Sequence, residues 1–82
     1  MPIVTLRPAP AGTAILDVIG PGDWCSGLWT AAESKRELIF GLSRDRSRAM
    51  GGTCALRLTV TGLSAGRWTF HIGTARIAVA VR

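Results

Sequence analysis

The chain is short of the side chains that do chemistry. Its 82 residues include one histidine, two cysteines and five acids. A nucleophile needs a base within hydrogen-bonding reach. The single histidine, His71, falls on the solvent face of a strand opposite Arg76, so it reads as an ordinary surface histidine. Neither Cys25 nor Cys54 lies beside a basic residue that would stabilise a thiolate. No local pair of the C-x-x-C or H-x-x-x-H kind begins a metal site. The acids have plainer work available: Asp23 after Pro21-Gly22 forms a turn, Glu33 suits a cap, and Glu37 and Asp45 are screened by adjacent arginines. Gly51-Gly52 is followed by neither a lysine nor a helix start, so it is no phosphate-cradling loop. These scarcities lead us to expect no catalytic residue, no metal, no cofactor and no small-molecule substrate, and therefore no enzyme.

Long apolar runs are missing too. A bilayer-spanning helix needs about 20 consecutive apolar residues, and the best stretch, Pro8 to Gly22, is broken by prolines and Asp17. The start, MPIVTLRPAP, lacks the basic residues, apolar run and small-residue cleavage site of a secretory signal. The expectation is a soluble chain, with no membrane partner, that is not exported by that route. Two cysteines are too few for a disulfide scaffold. Both lie in apolar strand-like segments and are read as buried small hydrophobes with free thiols, as a cytoplasmic origin favours, the alternative being a disulfide joining their strands.

What the chain does have is apolar residues and arginine. Hydrophobic residues make up 48%, yet a domain this small buries only about 60% of the surface its unfolded chain exposes. Some apolar surface is expected to face a partner. The net charge of +5 admits nucleic acid, an anionic surface or an acidic protein. Arg44, Arg46 and Arg48 cluster in a loop-like run, whereas Arg57, Arg67, Arg76 and Arg82 alternate along strands as a fixed face.

The clearest local signal is RWTFHIGTARIAVAVR, residues 67 to 82. Gly73-Thr74 is a two-residue loop with glycine first, as a II′ turn requires. Folding there pairs Ile72 with Ala75, Phe70 with Ile77 and Trp68 with Val79 on an apolar face, and His71 with Arg76 and Thr69 with Ala78 on the other. A slip of one residue would turn the apolar set into water, so the register is fixed. Thr53 to Val60 alternates as cleanly, with Cys54, Leu56, Leu58 and Val60 inward. Thr13 to Ile19 is a β-branched strand with Asp17 outward, closed by Gly20-Pro21-Gly22. Leu63 is placed to plug one end of the core, and Gly66 to take positive φ. In DWCSGLWT, residues 23 to 30, Gly27 permits a bulge or the close approach of another backbone. Residues 31 to 42 admit two readings: a short capped helix from Ala31 to Phe40, or a loop at Ala32–Ser34 and then a strand from Lys35 to Leu42. The strand is preferred, because Ile39-Phe40-Gly41 suits a sheet. The arrangement predicted is all-β: an antiparallel sandwich or partly open barrel of six to seven strands over residues 11–82, preceded by an extended N-terminal arm over residues 1–10.

PGDWCSGLWTA in the first half and LRLTVTGLSAGRWTFHI in the second resemble the small immunoglobulin-like β-sandwich proteins built into tailed-bacteriophage virions. Such domains often open an early strand with Gly-Asp-aromatic-x-Ser-Gly and enter a penultimate one through Leu-x-x-Gly-x-aromatic-x-aromatic. The chain is shorter than a full domain of that kind and adds a Pro-rich arm. The resemblance implies a structural role in a virion assembled in the bacterial cytoplasm: a capsid decoration, head–tail junction, tail or baseplate component docking in many copies onto other virion proteins. It carries over no catalytic residue. The interface residues expected are Trp24, Trp29 and the arm at Ile3, Val4 and Leu6, with Arg44, Arg46 and Arg48 as rim charges. Two alternatives stand beside this: a basic β-barrel binding single-stranded nucleic acid, disfavoured because Trp68 and Phe70 point away from the arginines, and a small inhibitor of a host enzyme.

Overall fold

The computed structural model describes residues 2–44 and 51–82. Their architecture is all-β, with seven strands in two sheets: β1 (Ile3–Arg7), β2 (Ala14–Pro21), β3 (Gly27–Ser34), β4 (Glu37–Arg44), β5 (Thr53–Val60), β6 (Gly66–Ile72) and β7 (Ala75–Val81). One 3-10 turn, Gly22–Cys25, joins β2 to β3. The first sheet has the order β1-β2-β5, the second β3-β4-β6-β7. Every pairing is antiparallel except β4 with β6, which run parallel over Glu37–Ile39 only. This is a small β-sandwich with no closed barrel.

The alternation read from the sequence explains the layering. On β6, Trp68, Phe70 and Ile72 face inward and are buried; so are Val79 and Val81 on β7. They meet Ala14, Leu16 and Val18 of β2 and Leu58 of β5 from the other sheet. The β6–β7 register is the expected one at every pair, and Gly73 takes positive φ at the turn. Leu63 closes one end, its N–H bonded to the Gly12 carbonyl. Gly27 lies so close to the Ser43 carbonyl of β4 that a side chain there would overlap it.

Three expectations change. Residues 31–42 are strand on both sides of a tight turn: β3 runs on through Ala32–Ser34, where a loop was expected, and the turn is Lys35-Arg36 alone. Five residues of the segment read as an arm are the edge strand β1, bonded along its length to β2. Finally, Cys25 and Cys54 are joined in a disulfide, with Cα atoms 5.7 Å apart, rather than carrying free thiols. The 3-10 turn folds back on the end of β5, where Gly22 N–H also donates to the Gly52 carbonyl, and this brings the two sulfurs together.

Candidate docking surface

The outer faces follow from the registers. On the first sheet, Arg7, Thr5 and Ile3 of β1 lie opposite Ile15, Asp17 and Ile19 of β2, which in turn face Thr59, Arg57 and Ala55 of β5. The middle row is polar. Arg57 Nε donates to Asp17 Oδ1 at 2.7 Å and Nη2 to Oδ2 at 3.2 Å, and Arg7 Nε lies 3.6 Å from Oδ2. The Arg57 hydrogen bonds, aided by the charges of Arg57 and Arg7, hold the Asp17 carboxyl below its ordinary 3.8. The row beside it is apolar: Ile3 is 62% and Ile19 46% exposed.

The second sheet shows Leu28, Thr30, Ala32 and Ser34 of β3 outward, then Ile39 and Glu37 of β4, then Arg67, Thr69 and His71 of β6 and Arg76 of β7. His71 does lie opposite Arg76, but its Nε2 bonds Glu37 Oε1 at 2.9 Å. That contact depends on the parallel β4–β6 pairing, which no spacing in the sequence announces. The expected face of four arginines is divided: Arg57 is ion-paired on one sheet, while Arg67 and Arg76 stand on the other. Leu28 is 71% exposed and Ile39 49%, two large apolar side chains on one face.

Among the described residues β3 is one of the two outer strands of this sheet, and it is exposed along nearly all its length. It has eight residues, no proline and one charge, Glu33. Such an edge presents unpaired backbone donors and acceptors to another chain. The other edges are better guarded: β1 carries Arg7 and is framed by Pro2 and Pro8, β5 carries Arg57, and β7 carries Arg76.

The expected interface residues disperse. Ile3 is exposed on the first sheet, Val4 turns in against the core, and Leu6, 46% exposed, lies toward the other end beside Pro8 and Val79. Trp24, readable from the sequence as a core or an interface anchor, lies in the core: it is 9% exposed and packs under Gly20 and Gly73. Trp29 is half-buried, its ring edge-on to Trp24 at 5.2 Å and its Nε1 donating to the Trp24 carbonyl at 3.0 Å. Together with Phe40, Leu42 and Gly73 the two indoles line a cavity of about 210 Å³ beside β3. The backbone of Arg44 pairs with Gly27 near this cavity; Arg46 and Arg48 lie outside the described residues. Leu28, Ile39 and Ile19 were not anticipated, although Leu28 was legible as the residue alternating with an inward Trp29.

Among the described residues no three of His, Cys, Asp and Glu converge as a metal site, and no helix is long and apolar enough to cross a membrane. No protein-family model matches the chain, and no curated protein or solved structure matches it. What is shown of its class is the fold, a small β-sandwich.

Proposed function

We propose that the protein is a non-enzymatic assembly component that docks in multiple copies within a larger particle, a tailed-phage virion being the particle its sequence resembles a part of. The observation that carries the reading is β3: a long, almost uncharged open edge flanked on one face by the exposed Leu28 and Ile39. Leu28 and Ile39 stand together on the face beside that edge, where apolar side chains suit a partner surface. The aromatic inventory also favours protein over nucleic acid. Bases stack on exposed rings beside cations, whereas Trp68, Phe70 and Trp24 are buried and Trp29 and Phe40 pack against the core. Arg67 and Arg76 then serve as docking or solvated charges.

Mass spectrometry of purified particles tests the proposal. The chain is expected among the structural components, at a fixed ratio to them. Its absence from particles, combined with copurification with a single host enzyme, would overturn the structural role in favour of inhibition. Tight, steeply salt-dependent binding of random oligonucleotides with quenching of tryptophan fluorescence would overturn it in favour of nucleic acid.

A further inference from the structure

We infer that the free edge of β3 pairs with β3 of a second copy of this chain, antiparallel about a two-fold axis through Thr30, joining two four-stranded sheets into one of eight. The inference rests on the docking reading and names its first partner. In a hairpin closed by a two-residue turn, Ser34 and Glu37 form the terminal hydrogen-bonded pair, so Ser34, Ala32, Thr30 and Leu28 bond β4. The backbone groups of Gly27, Trp29, Ala31 and Glu33 then point away from β4, toward open solvent among the described residues.

Self-complementarity selects the register. With Thr30 on the axis, the outward-turned residues pair as they must: Trp29 lies opposite Ala31 of the other copy and Gly27 opposite Glu33, while Leu28 faces Ala32 on the outer face. Each large side chain meets a small one, twice over, by the two-fold symmetry. Moving the axis to Ala31 sets Trp29 against Glu33. Moving it to Trp29 sets the two indoles against each other. Charge agrees with the central register as well. Glu33 is the only charged residue of the strand, and the two copies of it fall at opposite ends of the pairing, each level with the Gly27–Arg44 pair of the other copy. No like charges are opposed, although each chain carries +5.

Sedimentation velocity and cysteine trapping test this. The wild-type chain is expected to sediment as a dimer across a dilution series. Ala31→Pro removes an outward N–H that only the other copy would use, a position where an edge strand tolerates proline, and is expected to give a folded monomer. Leu28→Lys, on an exposed side chain, is expected to raise the dimer dissociation constant about tenfold or more, and it decides the matter if the proline variant does not fold. Thr30→Cys places two thiols at a non-hydrogen-bonded pair with Cα atoms about 4.5 Å apart, within disulfide range. Leu28→Cys places them about 14 Å apart. Oxidation is therefore expected to trap a covalent dimer of the first variant and not of the second. A monomeric wild type, a dimer unchanged in folded Ala31→Pro or in Leu28→Lys, or equal trapping of both cysteine variants would overturn the pairing. A monomer found in purified particles overturns the pairing alone; a dimer absent from particles overturns the docking reading alone.

Discussion

Arg36 occupies a backbone conformation that its residue type disfavours, and its side chain shows what holds it there. Both turn residues have positive φ, +49° at Lys35 and +66° at Arg36, where a type I′ turn ordinarily takes Asn or Gly. The left-handed region costs an L-residue roughly 1–2 kcal/mol. Arg36 offsets this cost: Nη1 donates to the Ala65 carbonyl at 2.8 Å, the guanidinium lies 5.6 Å from the centre of the Trp68 ring, and the Arg36 carbonyl accepts from Thr69 N–H at 2.9 Å. These contacts fasten the tip of the β3–β4 hairpin to β6, which β4 otherwise meets over only three residues. Lys35 is exposed. The two positions should therefore respond oppositely to the same change. Lys35→Gly is expected to raise stability in urea denaturation by about 0.5–1 kcal/mol, because it relieves the backbone alone. Arg36→Gly is expected to lower it by about 1 kcal/mol or more despite the same relief, since it removes a charged hydrogen bond and a cation–π contact. Equal responses would show the Arg36 side chain to be idle. Gly66→Ala probes the receiving end: a Cβ there would stand 2.8 Å from Arg36 Nη1 at φ +132°, and a loss of about 1–3 kcal/mol is expected.

At the scale of elements, the first sheet is tied across its outer face by a single acid. Asp17 on the central strand β2 engages Arg57 of β5 and Arg7 of β1, so one carboxylate spans three strands. Its pKa is depressed in the folded chain, chiefly by the Arg57 hydrogen bonds. The contribution is therefore complete above the unfolded value near 3.8 and is lost as pH falls through the lower folded value. Denaturation of wild type and Asp17→Asn from pH 7 down to pH 2 should show a stability difference that shrinks only below about pH 4. Because the pair is exposed, added salt should narrow the difference at neutral pH. A difference constant with pH would remove the carboxylate from the account. The elements themselves were largely legible in the sequence. β5, β6 and β7 alternate, and alternation on a half-buried sheet leaves one register, while β2 was read from its β-branched residues and the Gly20-Pro21-Gly22 turn that closes it. The β3–β4 turn was not legible, since Lys35-Arg36 carries no turn chemistry and its conformation is imposed by contacts with a strand 30 residues later in the chain. The tie at Asp17 was half legible: Asp17 and Arg57 were each readable as outward, but their meeting needs the β2–β5 pairing.

Over the whole molecule, the sequence hid how the strands divide between sheets, because that division decides which residues stay outside. Ile19, Leu28 and Ile39 read as ordinary strand residues until two sheets of three and four strands leave their faces bare. Trp24 read as a core or an interface anchor, and the 3-10 turn carries it under Gly20 and into the core. The same turn made the disulfide, which links Cys25, just ahead of β3 in one sheet, to β5 in the other across 29 residues. A closed loop of that length removes about 3–4 kcal/mol of unfolded-state entropy. A domain of this size has only about 4–12 kcal/mol of stability in all, so the bridge supplies a large share of it. Such bonds persist where the surroundings are oxidising. Reduction should therefore matter to this chain about as much as truncating one of its large core side chains. Thermal unfolding in the presence of dithiothreitol, and of the Cys25→Ser/Cys54→Ser variant without it, is expected to show the midpoint lowered by about 15–25 °C in both cases. The two measurements must agree if the loss comes from the cross-link rather than from the reductant. A midpoint that dithiothreitol leaves in place, with thiol titration confirming that both sulfurs are free, would show that the sheets are held by their cores alone.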